Sequence, residues 1–153
     1  ESYWTMLFAG SLNATGFLRW AYDAWVENPL EESTHWSFPA GDCFLVYPSY
    51  KNEKFPESKF TLRLAKLDEG VRDVNKLYML REKYPELQSE IEELFSSVKG
   101  SKENSYEFNT VSKTNLWGRK AKWLTENGKK SMISDMEKIK HRIYELSSRC
   151  REL

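Results

Sequence analysis

Two short aromatic-rich runs hold the residues best suited to chemistry. They are Gly16 to Trp25, with Trp20, Tyr22 and Trp25, and Pro39 to Pro48, with Tyr47. Indole and phenol rings are flat apolar surfaces with one polar handle. A sugar ring can lay its C–H face on such a surface while its hydroxyls bond at the edges. These residues therefore offer recognition rather than bond breaking. Adjacent carboxylates, a usual source of acid–base chemistry, occur at Glu31-Glu32, Asp68-Glu69 and Glu92-Glu93, and each reads as a solvated pair. Metal chemistry has less support still. Cys43 and Cys150 are the only cysteines, no CxxC spacing exists, and His35 and His141 lie far apart. No metal, no cofactor and no disulfide is expected, and Cys43 reads as a small core hydrophobe.

The 153 residues are long enough for one domain with a real core, and 40% apolar with 14% aromatic content is globular composition. Net charge is zero but uneven: residues 1–50 carry one base, Arg19, against six acids. The balance of bases falls in the helical remainder and reads as a solvated face. It lacks the clustered, aromatic-interleaved Lys/Arg of a nucleic-acid surface, so no nucleic-acid partner is expected. No stretch approaches the ~20 apolar residues of a membrane span, so no membrane partner is expected either. The chain opens Glu1-Ser-Tyr-Trp without an initiator Met and reads as a piece of a longer protein.

The elements that must position the aromatic runs divide into two kinds. Residues 2–13 have helical apolar spacing, with Trp4, Leu7, Phe8 and Leu12 on one side. Phe17 to Tyr22 and Cys43 to Tyr47 are compact apolar runs that predict buried strands, with Phe17, Arg19 and Ala21 on the opposite face from Leu18, Trp20 and Tyr22. Residues 26–41 between them predict a loop. From Phe60 the pattern is helical, with Phe60, Leu64, Leu67, Val71, Val74 and Tyr78 in one stripe. Pro85 ends that helix and starts another, bearing Leu87, Ile91, Leu94 and Val98, with a polar connector at Gly100 to Ser105. Residues 106–128 predict an extended piece and a short helix carrying Leu116, Trp117, Trp123 and Leu124, stopped at Asn127-Gly128. A last helix places Met132, Met136, Ile139, Ile143, Leu146 and Cys150 in a heptad seam. A short seam of this kind suits a packed antiparallel helix, and self-association is its other outlet. Two strands alone do not make a stable sheet, so these need neighbours.

At the two runs the chain resembles the C-terminal end of the family 123 glycoside hydrolase catalytic domain. That family's stretch reads Gly-Phe-Leu-Arg-Trp-Ala-Tyr, a nearby Trp, then Gly-Asp-x-x-Leu-Val-Tyr-Pro, and later a helix with Ser-x-Arg and Gly-x-x-Asp-Tyr. Here these stand as Gly16 to Tyr22, Trp25, Gly41 to Pro48, Thr61-Leu62-Arg63 and Gly70 to Val74. Ser49 replaces the usual Gly after Tyr-Pro, and Val74 the usual Tyr. The likeness covers about residues 4–80 and gives no help beyond about residue 85.

The resemblance implies a mainly α chain with a few short β-strands: the C-terminal portion of a (β/α)8 barrel-like domain (residues 1–84) followed by a helical tail (residues 85–153). It implies a parent that hydrolyses β-linked N-acetylgalactosaminides with retention, using the substrate's acetamide as nucleophile. An adjacent Asp-Glu pair on a middle barrel strand would orient that acetamide and protonate the leaving oxygen. Asp68-Glu69 lies instead in a helix beyond the last strand, outside a barrel's strand ends, so this piece is expected to be inactive alone. Its partners would be a carbohydrate, through the parent, and the rest of the barrel.

Trp20, Tyr22, Trp25 and Tyr47 then become candidate substrate-binding residues, with Trp25 foremost; plugging the barrel top is their other reading. Arg19 would pair with Asp42 or an outside carboxylate, Asp23 would cap a turn or hold a hydroxyl, and Arg63 would be structural. Two other classes stay open. A helical scaffold or assembly module rests on the seam, and a carbohydrate-binding module would rest on Trp20, Trp25 and Trp36.

Overall fold

The structure, a computed structural model, describes residues 2–18, 21–36, 38, 40–54, 56–103, 106–114 and 120–150. Helix α1 (Ser2–Ser11) is followed by a long irregular region. Two-residue strands β1 (Val46–Tyr47) and β2 (Lys59–Phe60) close that region as an antiparallel pair, Val46 opposite Phe60. Helix α2 (Leu62–Lys83) leads through a 3-10 turn at Pro85–Leu87 into α3 (Gln88–Glu103). A hairpin of β3 (Phe108–Thr114) and β4 (Lys120–Leu124) precedes α4 (Glu126–Arg149). The described chain is mainly helical with two small antiparallel sheets.

One apolar core joins all four helices. Tyr3, Trp4 and Leu7 of α1 meet Val74, Leu77 and Leu80 of α2, then Leu87, and Ile91, Leu94, Phe95 and Val98 of α3. Ile139, Ile143 and Leu146 of α4 complete it, so the core draws on both sides of residue 85. Helices α1 and α2 touch through glycine. A Cβ on Gly10 would stand 2.7 Å from Val74 Cγ1, and one on Gly70 would stand 2.8 Å from Met6 Cβ. With the backbones this close, α1 carbonyls and hydroxyls reach α2 directly. Tyr78 donates its hydroxyl proton to Gly10 O at 2.9 Å, and Tyr3 donates to Asp73 Oδ2 at 2.8 Å. Burial and the Asp73 charge together push the Tyr3 hydroxyl well above its ordinary pKa, so it stays a donor.

Both long helices start on a threonine that also ties them to the residue just before a strand. Thr61 Oγ1 accepts from Leu64 N and donates to Leu45 O at 2.7 Å. Thr125 Oγ1 accepts from Gly128 N and donates to Glu107 Oε2 at 2.9 Å. Each hydroxyl satisfies an orphan helix N–H and fixes the entry direction of the helix at once. Outside the core, α4 is held to α2 by Lys140–Glu69 and to α3 by Arg142–Glu90 and Arg149–Glu90.

Several sequence expectations need correction. The described residues of the run from Phe17 to Tyr22, namely Phe17, Leu18, Ala21 and Tyr22, are not in a buried strand: Phe17 is 44% and Leu18 95% exposed. Among the described residues, its strand-like pairing with the second run is an isolated antiparallel bridge, Asp23 to Phe44. One bridge cannot hold a ladder, so an apolar run without flanking strands stays irregular. The second strand contracts to Val46–Tyr47, although Cys43 to Val46 are all buried as expected. The α2 stripe is rotated: Gly70, Val74, Leu77 and Leu80 face inward, while Phe60 is 76% exposed and Val71 also faces out. The glycine-mediated approach of α1 selects that face over the one with more side-chain bulk.

The connector at Gly100 is helical to Glu103. Trp123 and Leu124 lie on β4, not on a short helix, and Gly128 sits in the first turn of α4 rather than ending an element. A Cβ there would collide with Glu107 O, so glycine is required by the hairpin's close approach. Arg19, Trp20, Leu116 and Trp117 lie outside the described residues. The α3 face of Leu87, Ile91, Leu94 and Val98 is buried as the spacing predicts, as are Ile139, Ile143 and Leu146 of the α4 seam.

Candidate functional site

The two aromatic runs come together as backbone rather than as strands. Leu45 N donates to Tyr22 O at 2.8 Å and Ala24 N donates to Cys43 O at 3.1 Å. Tyr22, Asp23 and Trp25 are thereby laid against the buried segment Cys43–Val46. Thr61 grips the other side of that segment, so the N-terminus of α2 fixes its position. Trp25 donates its indole N–H to Val46 O at 2.9 Å, which pins the ring edge and leaves it 38% exposed. A ring locked by its own N–H loses little freedom when a ligand stacks on it. Tyr22 is half exposed. Tyr47 is half-buried and packs edge-on against Phe44, centroids 5.5 Å apart at 86°.

The loop between the runs leaves after Trp25 and returns at Gly41, where φ is +73°. That left-handed backbone favours glycine, and the Arg63 guanidinium lies over the space a side chain would take. Arg63 donates to Ala40 O at 3.1 Å, so it braces the loop as a structural residue would. Neither Gly41 nor Thr61 was singled out as a site-positioning residue on sequence grounds. The signal for Thr61 was there: a threonine directly before a helical apolar stripe is an N-cap candidate.

The carboxylate pairs divide. Glu31, Glu32, Glu92 and Glu93 are exposed as expected, with Glu32 held below its ordinary pKa by the Thr34 hydrogen bonds. Asp68 pairs with Arg72 on the surface of α2. Glu69 is more than a solvated group: Lys140 and Lys66 both bond it and hold its carboxyl below the usual range. It is thus a helix-to-helix tie, as is Glu90, whose carboxyl Arg149 and Arg142 hold low. Among the described residues no group of three or more His, Cys, Asp or Glu is placed to hold a metal ion. Neither Cys43 nor Cys150 forms a disulfide within the described residues. No described helix is long and apolar enough to cross a membrane.

Among the described residues, large exposed apolar side chains are concentrated in the part of the sequence that carries this site. Leu12, Phe17, Leu18, Tyr22, Trp25, Leu30, Trp36, Tyr50, Phe60 and Leu62 fall between residues 12 and 62, against four scattered over the rest of the described chain. Shallow clefts lie elsewhere, among Tyr78, Arg81, Glu82, Gln88 and Glu92 and between α3 and α4, and neither includes Tyr22, Trp25 or Tyr47.

Residues 1–80 match the protein family described as glycoside hydrolase 123, catalytic domain. A solved structure, a family 123 glycoside hydrolase from Clostridium perfringens characterised for glycolipid glycan hydrolysis, is similar to this chain at 34% identity with a TM-score of 0.74. The likeness covers 97% of this chain and 24% of that one, so this chain spans about a quarter of that enzyme's length. It therefore runs well past the family match, into α3, the hairpin and α4. No curated protein matches the sequence.

Proposed function

Because the chain belongs to the family 123 glycoside hydrolases, we propose that it is the C-terminal part of a hydrolase acting on β-linked N-acetylgalactosaminides. Residues 1–84 would supply the end of its catalytic barrel and one wall of its sugar site, and residues 85–153 a helical tail bracing that end. The full-length parent would work with retention, the substrate's acetamide acting as nucleophile and a carboxylate pair outside this chain as orienter and acid. Trp20, Tyr22, Trp25 and Tyr47 would contact the sugar. The glycolipid glycans of the C. perfringens enzyme suggest the same substrate class here.

The observation that carries this reading is Trp25, a half-open ring pinned by its N–H to Val46 O within the matched segment. The exposed apolar residues between 12 and 62 support the second part: they suit burial against the rest of a barrel. Hydrolysis of an aryl β-N-acetylgalactosaminide by the full-length parent and by this chain alone is the test. The parent should turn over, the chain should not, and Trp25→Ala in the parent should lower kcat/KM roughly tenfold, the worth of about one stacking contact. An active isolated chain, or an inert parent, would reject the proposal.

A second reading, a non-catalytic helical scaffold, draws on the closed core of α1 to α4. The mass of the native polypeptide separates the two. A species several-fold larger than 18.1 kDa favours the hydrolase piece, and one of that mass favours the scaffold.

A further inference from the structure

Thr61 carries two tasks that chemistry can separate. Its hydroxyl accepts from Leu64 N at 3.2 Å, which caps α2, and donates to Leu45 O at 2.7 Å. The cap needs only an acceptor, and a carboxylate serves as well as a hydroxyl. The bond to Leu45 O needs a proton, which a hydroxyl has and a carboxylate lacks. Leu45 O also takes Thr61 N at 3.3 Å, so the longer backbone bond and the shorter hydroxyl bond converge on one carbonyl.

What Leu45 is tied to gives the second task its reach. The next carbonyl along the chain, Val46 O, accepts the Trp25 indole N–H at 2.9 Å. The Thr61 hydroxyl thus fixes one peptide, and the Trp25 ring is pinned to the peptide that follows. The bonds between the two runs, Ala24 N to Cys43 O and Leu45 N to Tyr22 O, do not involve that hydroxyl. Its loss should therefore shift the segment rather than undo it. A shift is enough to matter for a stacked ring, because a gap of about 0.5–1 Å forfeits a quarter to a half of a contact's attraction. Resting on the sugar-contact reading of Trp25 above, we propose that Thr61 is a positioning residue for the sugar site: through Leu45 and Val46 its hydroxyl sets where the Trp25 ring stands. It touches no substrate, and it couples the start of α2 to the strength of substrate binding.

The test is a double-mutant cycle in the full-length parent, with an aryl β-N-acetylgalactosaminide as substrate. Thr61→Asp keeps the cap and loses the proton for Leu45 O. It should raise KM about fivefold with kcat kept, the worth of about one hydrogen bond. Thr61→Ser, which keeps both bonds, should restore the wild-type KM. Thr61→Ala, which loses both, should match the KM of Thr61→Asp while melting lower, so that KM follows the donated bond and melting follows the cap. In a Trp25→Ala background, Thr61→Asp should add no further loss, because the ring it acts through is gone. A wild-type KM for Thr61→Asp, a Thr61→Ser no better than Thr61→Asp, or an undiminished loss in the Trp25→Ala background overturns the proposal. A parent in which Trp25→Ala alone leaves kcat/KM unchanged overturns the sugar-contact reading itself, and this inference falls with it.

Discussion

The helices and the loop region between α1 and α2 are built from similarly apolar sequence, yet they spend it differently. In the helices, apolar residues at three- and four-residue spacing converge on one core: Leu7, Leu77, Leu87, Ile91, Ile143 and Leu146 are fully buried. Among the described residues between 12 and 62 the burial is confined largely to Cys43–Val46, and Phe17, Leu18, Trp36 and Phe60 face out. A helix satisfies its backbone internally and needs only a neighbouring face, which α1 to α4 give one another. A strand needs another strand, and the runs here have only a bridge and a two-residue pair. The difference is that the helices bury their apolar residues against one another, whereas among the described residues the loop region leaves most of its large apolar side chains exposed.

Breaking the helical side should cost most. Leu77→Ala removes a fully buried side chain at the meeting of α1, α2 and α3. A loss of about 3 kcal/mol is expected in urea unfolding of this chain. Thr61→Ala strikes the joint between the two regions, removing the N-cap of α2 and the bond to Leu45 O. That should cost about 1–2 kcal/mol, and Thr61→Ser should recover much of it.

Acid should weaken the helical side through its carboxylate ties. Glu69 and Glu90 have folded-state pKa values below their unfolded ones. Their contribution is therefore present above the unfolded carboxylate pKa and is lost as pH falls through the depressed folded value. Melting temperature should drop below about pH 4, and Glu90→Gln should flatten that drop. The smallest effect should come from the loop side. Leu18→Ser, at a residue 95% exposed, should change the stability of this chain by no more than about 0.5 kcal/mol. The same change in the full-length parent should be destabilising, if the loop region is covered there.

Legibility followed the same division. Periodicity gave α1, α2, α3 and α4 and the buried faces of α3 and α4, because helical spacing is a local signal that survives whatever packs against it. It misjudged the α2 face, since Gly70 carries no apolar bulk and its role exists only against Met6. The run at Phe17 looked like a strand because composition cannot tell whether a pairing partner is present. The β3–β4 hairpin was half-missed for a related reason: its register is interrupted between Thr110 and Thr114, so no clean alternation marks it. At the candidate site, residue type alone marks Tyr22, Trp25 and Tyr47 as candidates for a sugar contact. Arg63 reads as structural and Thr61 as an N-cap candidate from the sequence, but the acceptors that make them hold their segments, Ala40 O and Leu45 O, are set by the fold.

Amide hydrogen exchange on this chain alone and within the full-length parent tests the central claim most directly. The account predicts that Leu77 and Ile143 amides, in the helical core, are strongly protected in both. Ala24 and Leu45 amides, which hold the two aromatic runs together, should exchange quickly in the isolated chain and become protected in the parent. Equal protection of Ala24 and Leu45 in both forms would contradict it, and would mean the loop region is complete as it stands.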